Sequence, residues 1–206
     1  GESTRPGSDA VGIEEECQRV VPVIESIRKR FPEAILSIDT WHARVAEAAL
    51  ESGADILNDI TALEGEKAMT GVIERYKAPV ILMHMRGTPK DMQTKCEYTN
   101  VVDEVACYLK ERAAFAETLG LTKEHIILDP GIGFAKNVEQ NLLLMRDLKS
   151  LTSFGYPVLL AASRKSTIGA VLGNIPAEER LEGNIATSLQ VVYAGAQLVS
   201  LNYVKV

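Results

Sequence analysis

Five short apolar runs in this chain stop abruptly on polar or charged side chains: Ile35-Leu-Ser-Ile-Asp39-Thr40, Ile56-Leu-Asn58-Asp59, Val80-Ile-Leu-Met83-His84-Met85-Arg86, Ile126-Ile-Leu-Asp129 and Val158-Leu-Leu-Ala-Ala-Ser163-Arg164-Lys165. A short apolar run bounded by turn chemistry reads as a buried strand. Between the runs the apolar residues fall instead at helical spacing, as in Ile13, Cys17, Val20, Val21, Ile24, Ile27 and Phe31. A helix between every pair of strands implies parallel strands, hence an α/β fold. In a parallel barrel the C-terminal strand ends converge on one face, where chemistry sits. The polar group closing each run is therefore expected on a shared rim.

The expected strands are Ile35–Asp39, Asp55–Ile60, Val80–Met85, Ile126–Asp129, Val158–Ala162 and Gln197–Tyr203. Helices are expected over 12–31, 42–52, 67–76, 101–119, 138–148, 166–172 and 177–195. Pro22 should kink the first helix or delay its start, because it lacks an N–H and its ring crowds the preceding turn. Gly53 stops the helix over 42–52, and Asn100 can cap the helix over 101–119 that Gly120 ends. The polar segment from Arg86 to Asn100 exceeds the usual connection of ~4–6 residues, as lids and binding loops often do. Six strands fall two short of a TIM (β/α)8 barrel of typically ~250 residues. The reading is one domain over 1–206, an incomplete barrel whose two ends look cut: a strand pair is expected before Gly1 and a closing helix after Val206.

The net charge of −6 argues against broad nucleic-acid binding. No apolar stretch approaches the ~20 residues of a membrane span, and the first residues carry no signal-peptide pattern. Cys17, Cys96 and Cys107 form no C-x-x-C pair; they read as free thiols in a reducing cytoplasm and argue against zinc. His42, His84 and His125 are too scattered in sequence for a metal triad, and no metal ligand is assigned.

The rim would gather Asp39, Asn58, Met83, Asp129 and Lys165, with Thr4 and Arg5 on the first loop. An ionised carboxylate only accepts and can take two parallel N–H bonds, whereas an amide both donates and accepts. Two carboxylates, an amide and a lysine around one mouth suit a flat heterocycle rich in N–H donors, with Met83 and Phe134 offering apolar surface. A lone aspartate at a strand end is more often a cap or turn residue, but five such tips together are harder to explain that way. Ser163-Arg164-Lys165-Ser166 opens a helix whose start favours an anion, although Ser166 reads equally well as an ordinary N-cap. His84 reads as a satisfied structural histidine and Trp41 as packing.

These segments together resemble the dihydropteroate synthase family of the folate pathway, the sulfonamide target. The matching stretches are Gly1-Glu-Ser-Thr-Arg-Pro-Gly7, Ser37-Ile-Asp-Thr40, Asn58-Asp-Ile60, Met83-His-Met-Arg-Gly87, Asp129-Pro-Gly-Ile-Gly-Phe-Ala-Lys136 and Ser163-Arg-Lys-Ser166. The resemblance implies a cytoplasmic, homodimeric TIM-barrel transferase that joins 6-hydroxymethyl-7,8-dihydropterin pyrophosphate to p-aminobenzoate with Mg²⁺. It implies that Asp39, Asn58, Asp129 and Lys165 hold the pterin, with Asp39, Asp129 and Lys165 acting in catalysis and Met83 and Phe134 alongside. Thr4, Arg5 and Pro6 would border p-aminobenzoate and the pyrophosphate, and Ser163, Arg164 and Ser166 would complete the binding residues. One departure stands out. The family's last strand carries Arg-x-His-Asp, whose basic pair grips the pyrophosphate, where this chain reads Ser200-Leu-Asn202-Tyr203. The strand whose Asn helps to hold Mg²⁺ would lie upstream of Gly1. Two alternatives stay open: a non-catalytic pterin-binding remnant, and a pterin-binding methyltransferase domain acting on methyltetrahydrofolate. Unpaired edges near residues 38 and 200 would make such a fragment poorly soluble.

Overall fold

The computed structural model describes residues 1–5 and 7–203. Strands β1 (Ser37–Asp39), β2 (Ile56–Asp59), β3 (Val80–Met83) and β4 (Ile126–Asp129) form a parallel sheet in sequence order. β5 (Leu159–Leu160) pairs with β6 (Leu198–Val199), again in parallel. A parallel bridge between Leu128 and Val158, with the Leu128 N–H donated to the Pro157 carbonyl at 2.8 Å, joins the two groups. The six strands thus follow one another around an arc, as in a TIM barrel, and among the described residues no ladder pairs β6 with β1.

The helices are α1 (Ile13–Arg30), α2 (Ala43–Glu51), α3 (Ala68–Tyr76), α4 (Val101–Thr118), α5 (Val138–Arg146), α6 (Lys149–Thr152), α7 (Ser166–Val171) and α8 (Leu181–Tyr193). α1 places Glu14, Glu15 and Glu16 in its first turn and Arg28, Lys29 and Arg30 in its last, matching the helix dipole at both ends. It runs unbroken through Pro22, contrary to the expected delay of its start. Pro22 and Gln18 both face solvent, so the carbonyl that loses its intrahelical partner can turn to water. The Asn100 side chain accepts from the N–H groups of Val102 and Asp103 and starts α4. Asn137 and Gln140 close a reciprocal capping box on α5.

Several strands are shorter than expected. Ile35 and Leu36 lie outside β1, although the Leu36 carbonyl still accepts from Asp55 and Ile56. β3 stops at Met83 rather than Met85, and β5 and β6 keep only two residues each. The polar tips bend into loops there instead of extending the ladder. The expected helix over 177–195 divides into a 3₁₀ turn at Ala177–Glu179 and α8, and α6 follows α5 as an additional short helix. Among the described residues no helix is long and apolar enough to cross a membrane.

Strand alternation divides the interior in two. Ile38, Leu57, Val80, Leu82, Ile126, Leu128 and Leu160 face the helices and join the main core. Ile56, Ile81, Ile127, Leu159 and Leu198 turn the other way and form a separate small cluster, the floor of the barrel interior. Residues two positions further along each strand must share that inward direction.

Candidate active site

Two residues beyond the floor, the inward-facing positions change chemistry. Ile56 leads to Asn58, Ile81 to Met83, Ile127 to Asp129, Leu159 to Ala161 and Leu198 to Ser200, while Asp39 occupies the matching place on β1. Asp39, Asn58, Met83, Asp129, Leu159, Ala161 and Ser200 line a cavity of about 320 Å³ that opens at the C-terminal strand ends, together with Thr4, Arg5, Ile60, Phe134, Ser163, Lys165 and Asn202. Of the residues expected at the rim, the fold therefore gathers Asp39, Asn58, Met83, Asp129, Lys165, Thr4, Arg5, Phe134 and Ser163 around one space.

Asp39 opens onto this cavity, yet protein crowds it from most sides. Burial, and then the like charges of Asp59, Glu16 and Asp129, push its carboxyl up to about 6. Asp129 is buried, and its carboxyl is also raised by desolvation, against the opposing pull of Lys165 and of the Gly131 N–H, which it accepts at 2.7 Å. The Lys165 ammonium is held below its ordinary range by burial, with Asp129 and Asp39 acting the other way. It donates to the Ile132 carbonyl and lies 4.9 Å from the centre of the Phe134 ring. The buried Oδ1 of Asn58 has no hydrogen-bond partner among the described residues. Asp59, its neighbour in sequence, points to the opposite face. There its carboxylate accepts from the N–H and hydroxyl of Thr61 and the N–H of Leu63.

The loop after β4 is pinned from beneath. Lys136 is buried, and its Nζ donates to the carbonyls of Phe134 (2.8 Å), Gly131 (3.1 Å) and His84 (3.2 Å) and lies 2.9 Å from His84 Nδ1. Burial brings this lysine down to about 7. Asn141, also buried, accepts from the Gly133 N–H and donates to the Lys136 carbonyl and the Thr167 hydroxyl. Gly131 has φ +69°, and a Cβ there would lie 2.0 Å from the His84 carbonyl oxygen, so no other residue fits this turn. His84 is accordingly a scaffold residue: its ring packs edge-on to Tyr108 with centroids 5.0 Å apart, and burial first, then Lys136, drives its basicity far down.

Two expected residues stand apart from the cavity wall. Arg164 sits at φ +59°, which turns its side chain outward; its guanidinium covers the Tyr203 ring at 4.6 Å. Ser166 is the exposed first residue of α7. Pro6 lies outside the described residues. Conversely, Ile60, Leu159 and Ala161 join the wall without having been expected there, whereas Ser200 and Asn202 stand where the resemblance puts the family's basic pair. The period of two from each strand tip would have found the first three. Ser200 and Asn202 stand in this wall as neutral groups, Asn202 giving its backbone N–H to the Ser163 hydroxyl oxygen at 3.0 Å.

Comparison with known proteins gives a consistent result. A profile described as "Pterin binding enzyme" matches residues 1–202. The dihydropteroate synthase of Clostridium beijerinckii is 47% identical over 189 residues, which cover 92% of this chain and 67% of that protein. The crystal structure of Yersinia pestis dihydropteroate synthase with a sulfonamide drug complex superposes with a TM-score of 0.94 at 37% identity, covering 100% of this chain and 74% of the other. Xanthomonas albilineans dihydropteroate synthase with 4-aminobenzoic acid gives a TM-score of 0.90 at 40% identity, covering 98% and 71%.

Proposed function

Because the chain belongs to the pterin binding enzyme family, among its dihydropteroate synthases, we propose that the layer of Asp39, Asn58, Asp129 and Lys165 holds the pterin ring of its substrate. The reaction is the joining of 6-hydroxymethyl-7,8-dihydropterin pyrophosphate to p-aminobenzoate, giving dihydropteroate and pyrophosphate in folate biosynthesis. The observation that carries the site assignment is the unpartnered, buried Asn58 Oδ1 beside two carboxylates. Three acceptors facing one space call for a ring rich in N–H donors, and leaving one of them unmatched costs about 1–3 kcal/mol.

In this reading Asp39 and Asp129 accept from the ring N–H groups, Asn58 orients it, and Lys165 meets a ring carbonyl or nitrogen. Met83 and Phe134 cover its apolar faces. Positive charge develops on the pterin as pyrophosphate departs, and fixed carboxylates stabilise that charge more in the transition state than in the ground state. Thr4 and Arg5 border the departing group. Ser163 closes the wall, while Ser166, with Arg164 behind it, stands where an aminobenzoate carboxylate would emerge towards solvent; a sulfonamide would compete there. For Mg²⁺, implied by the family resemblance, the carboxylates among the described lining residues are Asp39 and Asp129, which this reading commits to the pterin. Thr4, Ser200 and Asn202 add only neutral groups, so the wall offers the ion no carboxylate of its own. The exposed apolar residues Ile185, Leu189, Val192 and Tyr193 of α8 support a homodimer as the assembly.

The test is product formation from dihydropterin pyrophosphate and p-aminobenzoate in Mg²⁺ buffer, read as dihydropteroate by mass. Product above the uncatalysed background supports the reading; its absence together with absent pterin binding in calorimetry defeats it. A second reading, a pocket that binds pterin and turns over slowly, is favoured by the neutral Ser200 and Asn202 in the wall. Tight pterin binding with little product would select it.

A further inference from the structure

Outside the cavity wall, three side chains that can ligate a metal meet at the start of the chain. The carboxylates of Glu2 and Glu16 and the imidazole of His42 offer atoms all within 4.8 Å of one another. They come from the first loop, the first turn of α1 and the residue before α2. Glu16 is wholly buried, and the Glu2 side chain is 7% exposed. Two carboxylates withdrawn from water in one place are costly unless a positive charge joins them. Among the described residues no lysine or arginine side chain pairs with either, although their exposed neighbours Glu14 and Glu15 pair with Arg44 and Arg19.

The hydrogen bonds leave a vacant acceptor. Glu16 Oε1 takes the Glu2 N–H at 3.1 Å, whereas Glu16 Oε2 has no partner among the described residues. His42 is oriented from behind. Its Nδ1 lies 2.7 Å from Glu66 Oε1, and Glu66 Oε2 is itself fixed by the Ala43 N–H at 2.9 Å. A carboxylate behind a histidine sets the tautomer and aims the far nitrogen, the arrangement that accompanies most metal-bound histidines. With its proton on Nδ1, His42 directs the Nε2 lone pair at Glu2 Oε2, 3.3 Å away. Either a proton on Nε2 or a metal ion can lie between those two atoms. That spacing equals the edge of a tetrahedron with arms of ~2.0–2.1 Å, the usual zinc–nitrogen and zinc–oxygen lengths. A single proton on His42 would leave three carboxylates, those of Glu2, Glu16 and Glu66, around one positive charge.

We propose that Glu2, Glu16 and His42 bind a divalent transition-metal ion, with Glu66 positioning the histidine. Two carboxylate oxygens and one imidazole nitrogen suit Zn²⁺ or Mn²⁺. The ion ties the loop that carries Thr4 and Arg5 to α1 and α2, so its place is structural rather than at the reacting atoms. The carboxylates that complete the site arrive from 40 and 26 positions upstream of His42, too far for any local motif to mark it.

The test is calorimetric titration of chelator-stripped protein with Zn²⁺ and, separately, Mn²⁺. One ion per chain is expected, with affinity at least 10-fold weaker in His42→Ala and 10–100-fold weaker in Glu66→Gln. The thermal midpoint should rise with the ion in the parent protein and stay still in His42→Ala. Circular dichroism of each stripped variant separates lost binding from lost folding, and the part-exposed His42 is the safer site to change should Glu16→Gln fail to fold. No heat of binding at millimolar ion, or binding and midpoint shift unchanged in a folded His42→Ala, would overturn the proposal.

Discussion

Lys136 Nζ lies 2.9 Å from His84 Nδ1, and both residues are almost completely buried. The lysine spans from the loop after β4 to the end of β3 and reaches three carbonyl oxygens besides the imidazole. These contacts fix the backbone between Asp129 and Phe134, two residues of the cavity wall. Lys136→Met would take this donor from the His84 imidazole and from the His84 and Phe134 carbonyls in the interior, while the Gly131 carbonyl keeps the Phe134 N–H. We expect a loss of about 3 kcal/mol in stability, read from denaturant midpoints, and a lower pterin affinity.

Asp39 has its carboxyl raised to about 6. Its ionised form, the one that accepts from a pterin N–H, is therefore lost as pH falls through that value. At a carboxyl pKa near 6 the ionised fraction drops about tenfold between pH 7 and pH 5. Pterin affinity measured across this interval should fall by a comparable factor. In Asp39→Asn the affinity should be weaker throughout and that share of the pH slope should vanish, leaving only what Asp129 contributes.

Asp129→Asn replaces one acceptor with a donor at the centre of the wall. The exchange also weakens the charge that Lys165 faces. Pterin binding by calorimetry should drop at least 100-fold while the folded protein persists. Unchanged affinity would remove Asp129 from the role assigned to it.

Ser200 and Asn202 hold wall positions without charge. Two backbone bonds anchor this stretch, Ser200 N–H to the Leu160 carbonyl at 3.0 Å and Asn202 N–H to the Ser163 hydroxyl oxygen at 3.0 Å, beside a longer one from the Asn202 side chain to the Ser163 carbonyl at 3.4 Å. The double variant Ser200→Arg with Asn202→His keeps both backbone bonds and adds donors where pyrophosphate leaves. Removing one preorganised donor costs roughly 10²–10³ in rate, so adding a pair should raise kcat at least 10-fold. Pterin affinity should change little.

The strand tips were legible because each signal is local: an apolar run, its polar end and the turn beyond it. Asp39, Asn58, Met83, Asp129 and Lys165 could be placed on one rim from that pattern alone, and the fold brings them to one cavity. Arg164 illustrates what the pattern hides. Its left-handed backbone, not its position beside Lys165, decides that it leaves the wall for Tyr203. Pro22 shows the reverse case, where a local rule for breaking helices yields to a tertiary fact, the solvent on that side of α1. The Lys136–His84 contact joins residues 52 apart, a distance over which no periodic pattern carries information.

The floor of Ile56, Ile81, Ile127, Leu159 and Leu198 and the polar layer two residues above it belong to the same strands but to separate registers. A side chain in the upper register can therefore be exchanged without repacking the lower one. Leu198 keeps its place beneath Ser200 whatever Ser200 becomes. Such a barrel can exchange a catalytic group at one position of the upper layer while the apolar floor beneath it is left as it was.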